Sequence, residues 1–166
     1  MNLYLLRHAI AVERGTKGFS DDSRRPLTGE GIEKMRRIAK GMHRLDLEFD
    51  LILSSPYLRA RQTAGIVVAE FDVEAKLKFS ENLTSAATEA LVAELNKTYH
   101  DRKNILLVGH EPYLSGLIST LLTGHPHTPI MLKKGGLCQL TIKALRHGCC
   151  AQLDWLLTPR QLRLLG

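Results

Sequence analysis

With 166 residues, 44% of them hydrophobic, the chain is sized for one core and predicts a single domain over residues 1–166. The three cysteines, Cys138, Cys149 and Cys150, lack C-x-x-C spacing, which argues against a disulfide framework and a zinc knuckle. The net charge of +6 is uneven, with six cations against Asp154 alone from Lys133 onward, but those cations are scattered and hardly interleaved with aromatics. They read as a solvated basic face, not a nucleic-acid platform.

No apolar run approaches the ~20 residues of a membrane span, and no basic stretch followed by an apolar one opens the chain. These features predict a cytoplasmic protein. Apolar runs alternate with helical periods, the pattern of β-α-β units. Asn2 to Arg7 is the first predicted strand, and Gly15 to Leu27 is a long loop rich in Gly, Ser and Asp. Thr28 caps a predicted helix to about Leu45, whose Ile32, Met35, Ala39 and Met42 share a face. Asp50 to Leu53 is a short strand, followed by a helix to about Phe71. Lys76 to Phe79 is a weaker strand, and Thr88 to Tyr99 an amphipathic helix bearing Leu91, Val92 and Leu95.

Asn104 to Val108 is the clearest buried strand, and a helix follows from about Pro112 to Leu122. Leu137 to Ile142 and Gln152 to Leu156 predict a final antiparallel pair, with Cys149 and Cys150 alternating on opposite faces of a strand-like segment. The fold expected is an α/β three-layer sandwich with a mostly parallel central sheet flanked by helices.

Three strand ends deliver polar groups at once: Arg7-His8, Ser54-Ser55-Pro56-Tyr57-Leu58-Arg59, and Gly109-His110-Glu111-Pro112. Ligands of open parallel sheets bind outside the carboxyl ends of the strands, so these segments are expected to converge on one crevice. Two arginines and two histidines suit a phosphoryl group, whose oxygens match guanidinium forks. They do not suit a metal, which the cations would repel, and His125-Pro126-His127 lacks further ligands and reads as a polar loop. No P-loop or dinucleotide fingerprint is present, so no cofactor is expected.

Arg7-His8, then Ser55-Pro56 with Leu58-Arg59-Ala60 and Gln62-Thr63, then Gly109-His110, together resemble the histidine phosphatase superfamily, also called phosphoglycerate mutase-like. The Arg25-Pro26-Leu27-Thr28 element is similar to its SixA-like branch of phosphohistidine phosphatases. The resemblance implies a phosphatase working through a phosphohistidine on His8. Arg7, Arg59 and His110 would bind the phosphoryl oxygens, and Glu81 best matches the family's proton donor. Where many members read R-H-G, this chain reads Arg7-His8-Ala9.

The implied substrate is phosphohistidine on a signalling or phosphorelay protein, with a small phosphorylated metabolite as the alternative. A non-catalytic phosphate- or nucleic-acid-binding module is the reading from another class. Little chain is left over for a lid, and an open crevice suits a phosphate displayed on a protein. A monomer or weak dimer is expected. Lys133-Lys134-Gly135-Gly136 is either an electrostatic guide at the pocket edge or a solvated turn.

Overall fold

The computed structural model describes residues 1–84 and 88–166. Six strands form one sheet: β1 (Asn2–Arg7), β2 (Leu51–Ser54), β3 (Leu77–Phe79), β4 (Asn104–Gly109), β5 (Leu137–Ile142) and β6 (Ala151–Leu157). Their order is β3-β2-β4-β1-β5-β6. The pairs β3–β2, β2–β4 and β4–β1 are parallel, and β5 and β6 join antiparallel. The mostly parallel α/β sandwich expected from the sequence is thus the fold observed.

Among the described residues, five α-helices cover the sheet: α1 (Gly29–His43), α2 (Leu58–Phe71), α3 (Thr88–Thr98), α4 (Tyr113–Thr123) and α5 (Pro159–Leu165). Side chains alternate across a strand, so each central strand feeds two cores. Leu3, Leu5, Leu53, Ile105 and Leu107 pack with Leu91 and Leu95 of α3 and Leu114, Leu117 and Ile118 of α4. Tyr4, Leu6, Ile52, Leu106 and Val108 pack on the other face with Met35 and Met42 of α1, Ala64 and Val67 of α2, and Leu162 of α5. Burial on both faces is why β1 and β4 read as continuous apolar runs.

Local chemistry sets the boundaries. The Thr28 hydroxyl accepts from Gly31 N at 3.0 Å and starts α1, as its sequence position predicts. Asp50 stays outside β2 because its carboxylate accepts from the backbone N–H of both Lys103 and Asn104, each at 2.9 Å. A 3-10 turn over Glu74–Lys76 delays β3 to Leu77. Cys149 and Cys150 precede β6, so strand alternation does not govern them. Each thiol instead donates to a carbonyl, Cys149 to Leu122 and Cys150 to Arg146.

The unanticipated element is α5. Thr158 and Gln161 form a reciprocal capping box with Pro159 in the first turn, and buried Leu162 docks the helix on α1. The approach is so close that a Cβ on Gly41 would stand 2.0 Å from Leu162 O. Among the described residues, no helix is long and apolar enough to cross a membrane.

Candidate active site

β2, β4 and β1 are neighbours, so their carboxyl ends bring the three polar segments together as the sheet rule predicts. The ladder continues past the strand ends: His8 N donates to Gly109 O at 3.0 Å and Ser55 N to Val108 O at 2.9 Å. Backbone pairing therefore fixes the residues of the candidate site. His8, Arg59 and His110 are all buried, at 6%, 5% and 9% exposure, although each is polar.

His8 Nδ1 lies 2.7 Å from the carbonyl oxygen of Ala9. A carbonyl only accepts, so Nδ1 carries the hydrogen and Nε2 keeps its lone pair. Arg59 Nε donates to that lone pair at 3.3 Å. Burial is the main force pushing the His8 pKa down to about 3; the Ala9 carbonyl opposes it, while His110, Arg59 and Arg7 add to it. His110 is pushed down to about 4, again chiefly by burial and then by Arg59. Both rings are neutral near pH 7.

The two imidazole centroids are 5.2 Å apart. His110 Nε2 meets Ser55 Oγ at 2.8 Å, and its Nδ1 is buried without a partner among the described residues. Arg7 donates from NH1 to Leu132 O at 3.0 Å, while its Nε is likewise buried and unpartnered. Unpaired buried polar atoms are costly. Two at one site mark it as built for a polar ligand. A groove of about 470 Å³ between α1 and α2, lined by Ile32, Gln62 and Ile66, contains none of these four side chains.

Arg59 is held at its far end by Asp22, a residue of the long loop before α1 that no local sequence signal sets apart. Its NH1 donates to Asp22 O at 2.7 Å and its NH2 to Asp22 Oδ2 at 3.0 Å. Asp22 also pairs with Arg25 at 2.9 Å and with Arg14 at 3.3 Å. Burial raises the Asp22 pKa, but Arg25 and Arg59 outweigh it and leave the carboxyl below its ordinary value. Of five guanidinium N–H groups on Arg59, three are engaged among the described residues and two remain for a ligand.

The motif residues around Arg59 have structural work. Thr63 Oγ1 donates to Arg59 O at 2.7 Å and accepts from Ala9 N at 3.1 Å, so one hydroxyl ties α2 to the turn after His8. Gln62 Oε1 accepts from Leu27 N at 2.7 Å and anchors the loop bearing Asp22. The turn after His8 needs no glycine, since none of Ala9, Ile10 and Ala11 takes a positive φ, and Ala9 and Ala11 bury small side chains there. Glu81 is placed differently. It is exposed, opens the 3-10 turn after β3, and joins none of the bonds linking the other four among the described residues. Also among those residues, no group of three or more His, Cys, Asp or Glu is arranged to hold a metal.

Comparison with known proteins identifies the class. Residues 3–88 match the family model of the histidine phosphatase superfamily (branch 1), and the chain belongs to that family. It is a phosphatase of the SixA-like branch. Phosphohistidine phosphatase SixA of Escherichia coli (strain K12) is 25% identical over 166 residues, covering 99% of this chain and 98% of the relative. An uncharacterized protein of Picosynechococcus sp. (strain ATCC 27264 / PCC 7002 / PR-6) is 34% identical over 148 residues, 88% of each chain. The solved structure of the protein histidine phosphatase SixA complexed with tungstate superposes with a TM-score of 0.82 at 24% identity, covering 98% of this chain and 99% of that one.

Proposed function

We propose that His8 is the nucleophile of a phosphohistidine phosphatase, with phosphohistidine on a signalling or phosphorelay protein as its substrate. The observation that carries this reading is the His8 tautomer: Nδ1 on the Ala9 carbonyl leaves an Nε2 lone pair facing Arg59. The relative from E. coli, named a phosphohistidine phosphatase and aligned over nearly the whole chain, supports the substrate class.

In the first step the His8 Nε2 lone pair forms a bond to phosphorus as the bond from phosphorus to the substrate imidazole breaks. The departing nitrogen keeps that electron pair. An imidazole protonated on its other nitrogen leaves neutral and needs no enzyme acid. Glu81, exposed in the 3-10 turn after β3, is then required as proton donor only for poorer leaving groups such as alkoxides.

In the second step water attacks phosphorus, the P–Nε2 bond breaks and its electrons return to His8. The water proton passes to solvent and inorganic phosphate departs. Charge on the equatorial oxygens grows in both transition states. Arg7, the two remaining N–H groups of Arg59, and His110 in the tautomer that carries its hydrogen on Nδ1 while Ser55 donates to Nε2, stabilise that charge. Tungstate in the solved SixA-type structure is a tetrahedral oxyanion of this kind.

The test is phosphate release, without added metal, from an aryl phosphate and from a phosphohistidine-bearing protein, with acid quench for a phosphoenzyme. Wild type should release phosphate and trap an acid-labile adduct, and His8→Ala should do neither. Near-wild-type turnover in His8→Ala would overturn the assignment. Preference for a small phosphate ester over the protein would move the substrate to a metabolite.

A further inference from the structure

Two large apolar side chains stand exposed on opposite flanks of the site. Met131, 73% exposed, precedes Leu132, whose carbonyl accepts from Arg7. The segment continues along Arg7: Gly135 N donates to Arg7 O at 3.0 Å and Arg7 N to Gly136 O at 3.2 Å. Phe79, 47% exposed, ends β3 on the other side. Its neighbour Ser80 donates to Ser54 O at 3.0 Å, next to the Ser55 that meets His110.

A single exposed apolar residue means little on a protein surface. Placement decides here. Phe79 and Met131 bracket the same strand ends, and each is accompanied by exposed cations. The Arg61 guanidinium lies 5.2 Å over the Phe79 ring, and Lys133 and Lys134 follow Met131. From β3 to β5 there are four strand spacings, about 19 Å; Phe79 ends β3, and the segment that follows Met131 runs along the β5 side of Arg7 through Gly135 and Gly136. A free amino acid or small ester cannot reach both flanks. A folded protein presenting a helix about 10–12 Å across, with its neighbouring surface, covers them together.

Resting on the phosphohistidine reading above, we infer that Phe79, Arg61, Met131, Lys133 and Lys134 form the docking rim for a folded phosphoprotein. Its phosphohistidine is surrounded by an acidic surface with apolar contacts. The cations complement the acidic groups and steer encounter, while Phe79 and Met131 supply the desolvated contacts that hold the complex. Catalysis on the phosphoryl group and recognition of its carrier are thereby divided between the crevice and its rim.

The experiment compares wild type with the Phe79→Ser, Met131→Ser double variant on two substrates: a phosphohistidine-bearing phosphotransfer protein and free phosphohistidine. Both side chains are exposed, and thermal unfolding checks that the fold is retained. The double variant should lose about tenfold in kcat/KM on the protein, through KM, and stay within twofold of wild type on free phosphohistidine. Equal kcat/KM of the two enzymes on the protein overturns the docking rim while leaving the phosphohistidine reading intact. An equal loss on both substrates also overturns it, because the residues would then act through the crevice. If wild type hydrolyses aryl phosphate but neither phosphohistidine substrate, the substrate reading fails and the rim fails with it.

Discussion

Asp22 grips Arg59 through both a backbone carbonyl and a carboxylate oxygen, at 2.7 and 3.0 Å, while the same arginine reaches His8 at its near end. The guanidinium is thus fixed at three points before any phosphate arrives. A fixed donor loses less entropy when it engages a developing charge than a mobile one does. Asp22→Ala should therefore lower kcat/KM by about tenfold, equivalent to ~1.4 kcal/mol of transition-state stabilisation. Asp22→Asn, which keeps an acceptor for NH2, should recover part of that loss. Steady-state kinetics on an aryl phosphate decides it, and wild-type values for Asp22→Ala would show that Arg59 needs no such support.

The two depressed histidines give a pH signature. In an unfolded chain a histidine titrates near 6.5, but here His8 and His110 take up protons only at about 3 and about 4. Between those values the unfolded state binds more protons, so stability rises with pH and falls as pH is lowered through 6.5. Each group contributes a slope of up to ~1.4 kcal/mol per pH unit there. Chemical denaturation at pH 7 and pH 5 should show the decline, reduced in His8→Ala. Long-range proton–nitrogen NMR should show His8 as the Nδ1–H tautomer, unchanged through pH 6.5. A midpoint near 6.5 for its ring would contradict the burial argument.

As the proposed proton donor, Glu81 should separate substrates by leaving group. Because its carboxylate lies at the exposed start of the turn after β3, its removal disturbs no buried partner among the described residues. Glu81→Gln should leave hydrolysis of phosphohistidine within threefold of wild type and cut hydrolysis of an alkyl phosphate by at least about tenfold. Equal losses on both would make the carboxyl a general part of the machinery. No loss on either would remove it from the reaction.

Much of this arrangement is legible in the sequence, and the reason is local. β1 and β4 are short apolar runs ended by polar pairs, and α1 carries its cap at Thr28 and its apolar stripe at Met35, Ala39 and Met42. Asp22 is not legible, because Asp21 and Asp22 are equivalent as letters. Only the folded loop turns Asp21 to cap its own turn through Ser23 and sends Asp22 to Arg59. The closure of α5 on α1 escapes for the same reason: it depends on Gly41 meeting the Leu162 backbone 121 positions later. Strand order is likewise a long-range property, and the insertion of β1 between β4 and β5 has no local signal.

Two glycines of α1 distinguish fold from function. A Cβ on Gly31 would stand 2.0 Å from Ile10 O, two residues past the nucleophile candidate, and one on Gly41 would stand 2.0 Å from Leu162 O. Both alanine substitutions should destabilise by at least about 1–3 kcal/mol through overpacking. Gly31→Ala should also lower kcat/KM per folded molecule by pushing on the turn that holds His8, whereas Gly41→Ala should not. Denaturation curves paired with active-site-normalised rates test the difference, and parallel kinetic effects would break the proposed link through Ile10.

The position of β1 carries a consequence for how the enzyme comes into being. Its register partners are Asn104 to Gly109 on one side and Leu137 to Leu140 and Thr141 on the other, all made long after His8 leaves the ribosome. β1, synthesised before both of its neighbours, must wait for them, since closing such long loops precedes the contacts that reward it. Oxyanion binding should therefore emerge late in folding and as a single event, which makes a bound phosphate analogue a reporter of sheet completion on the growing chain.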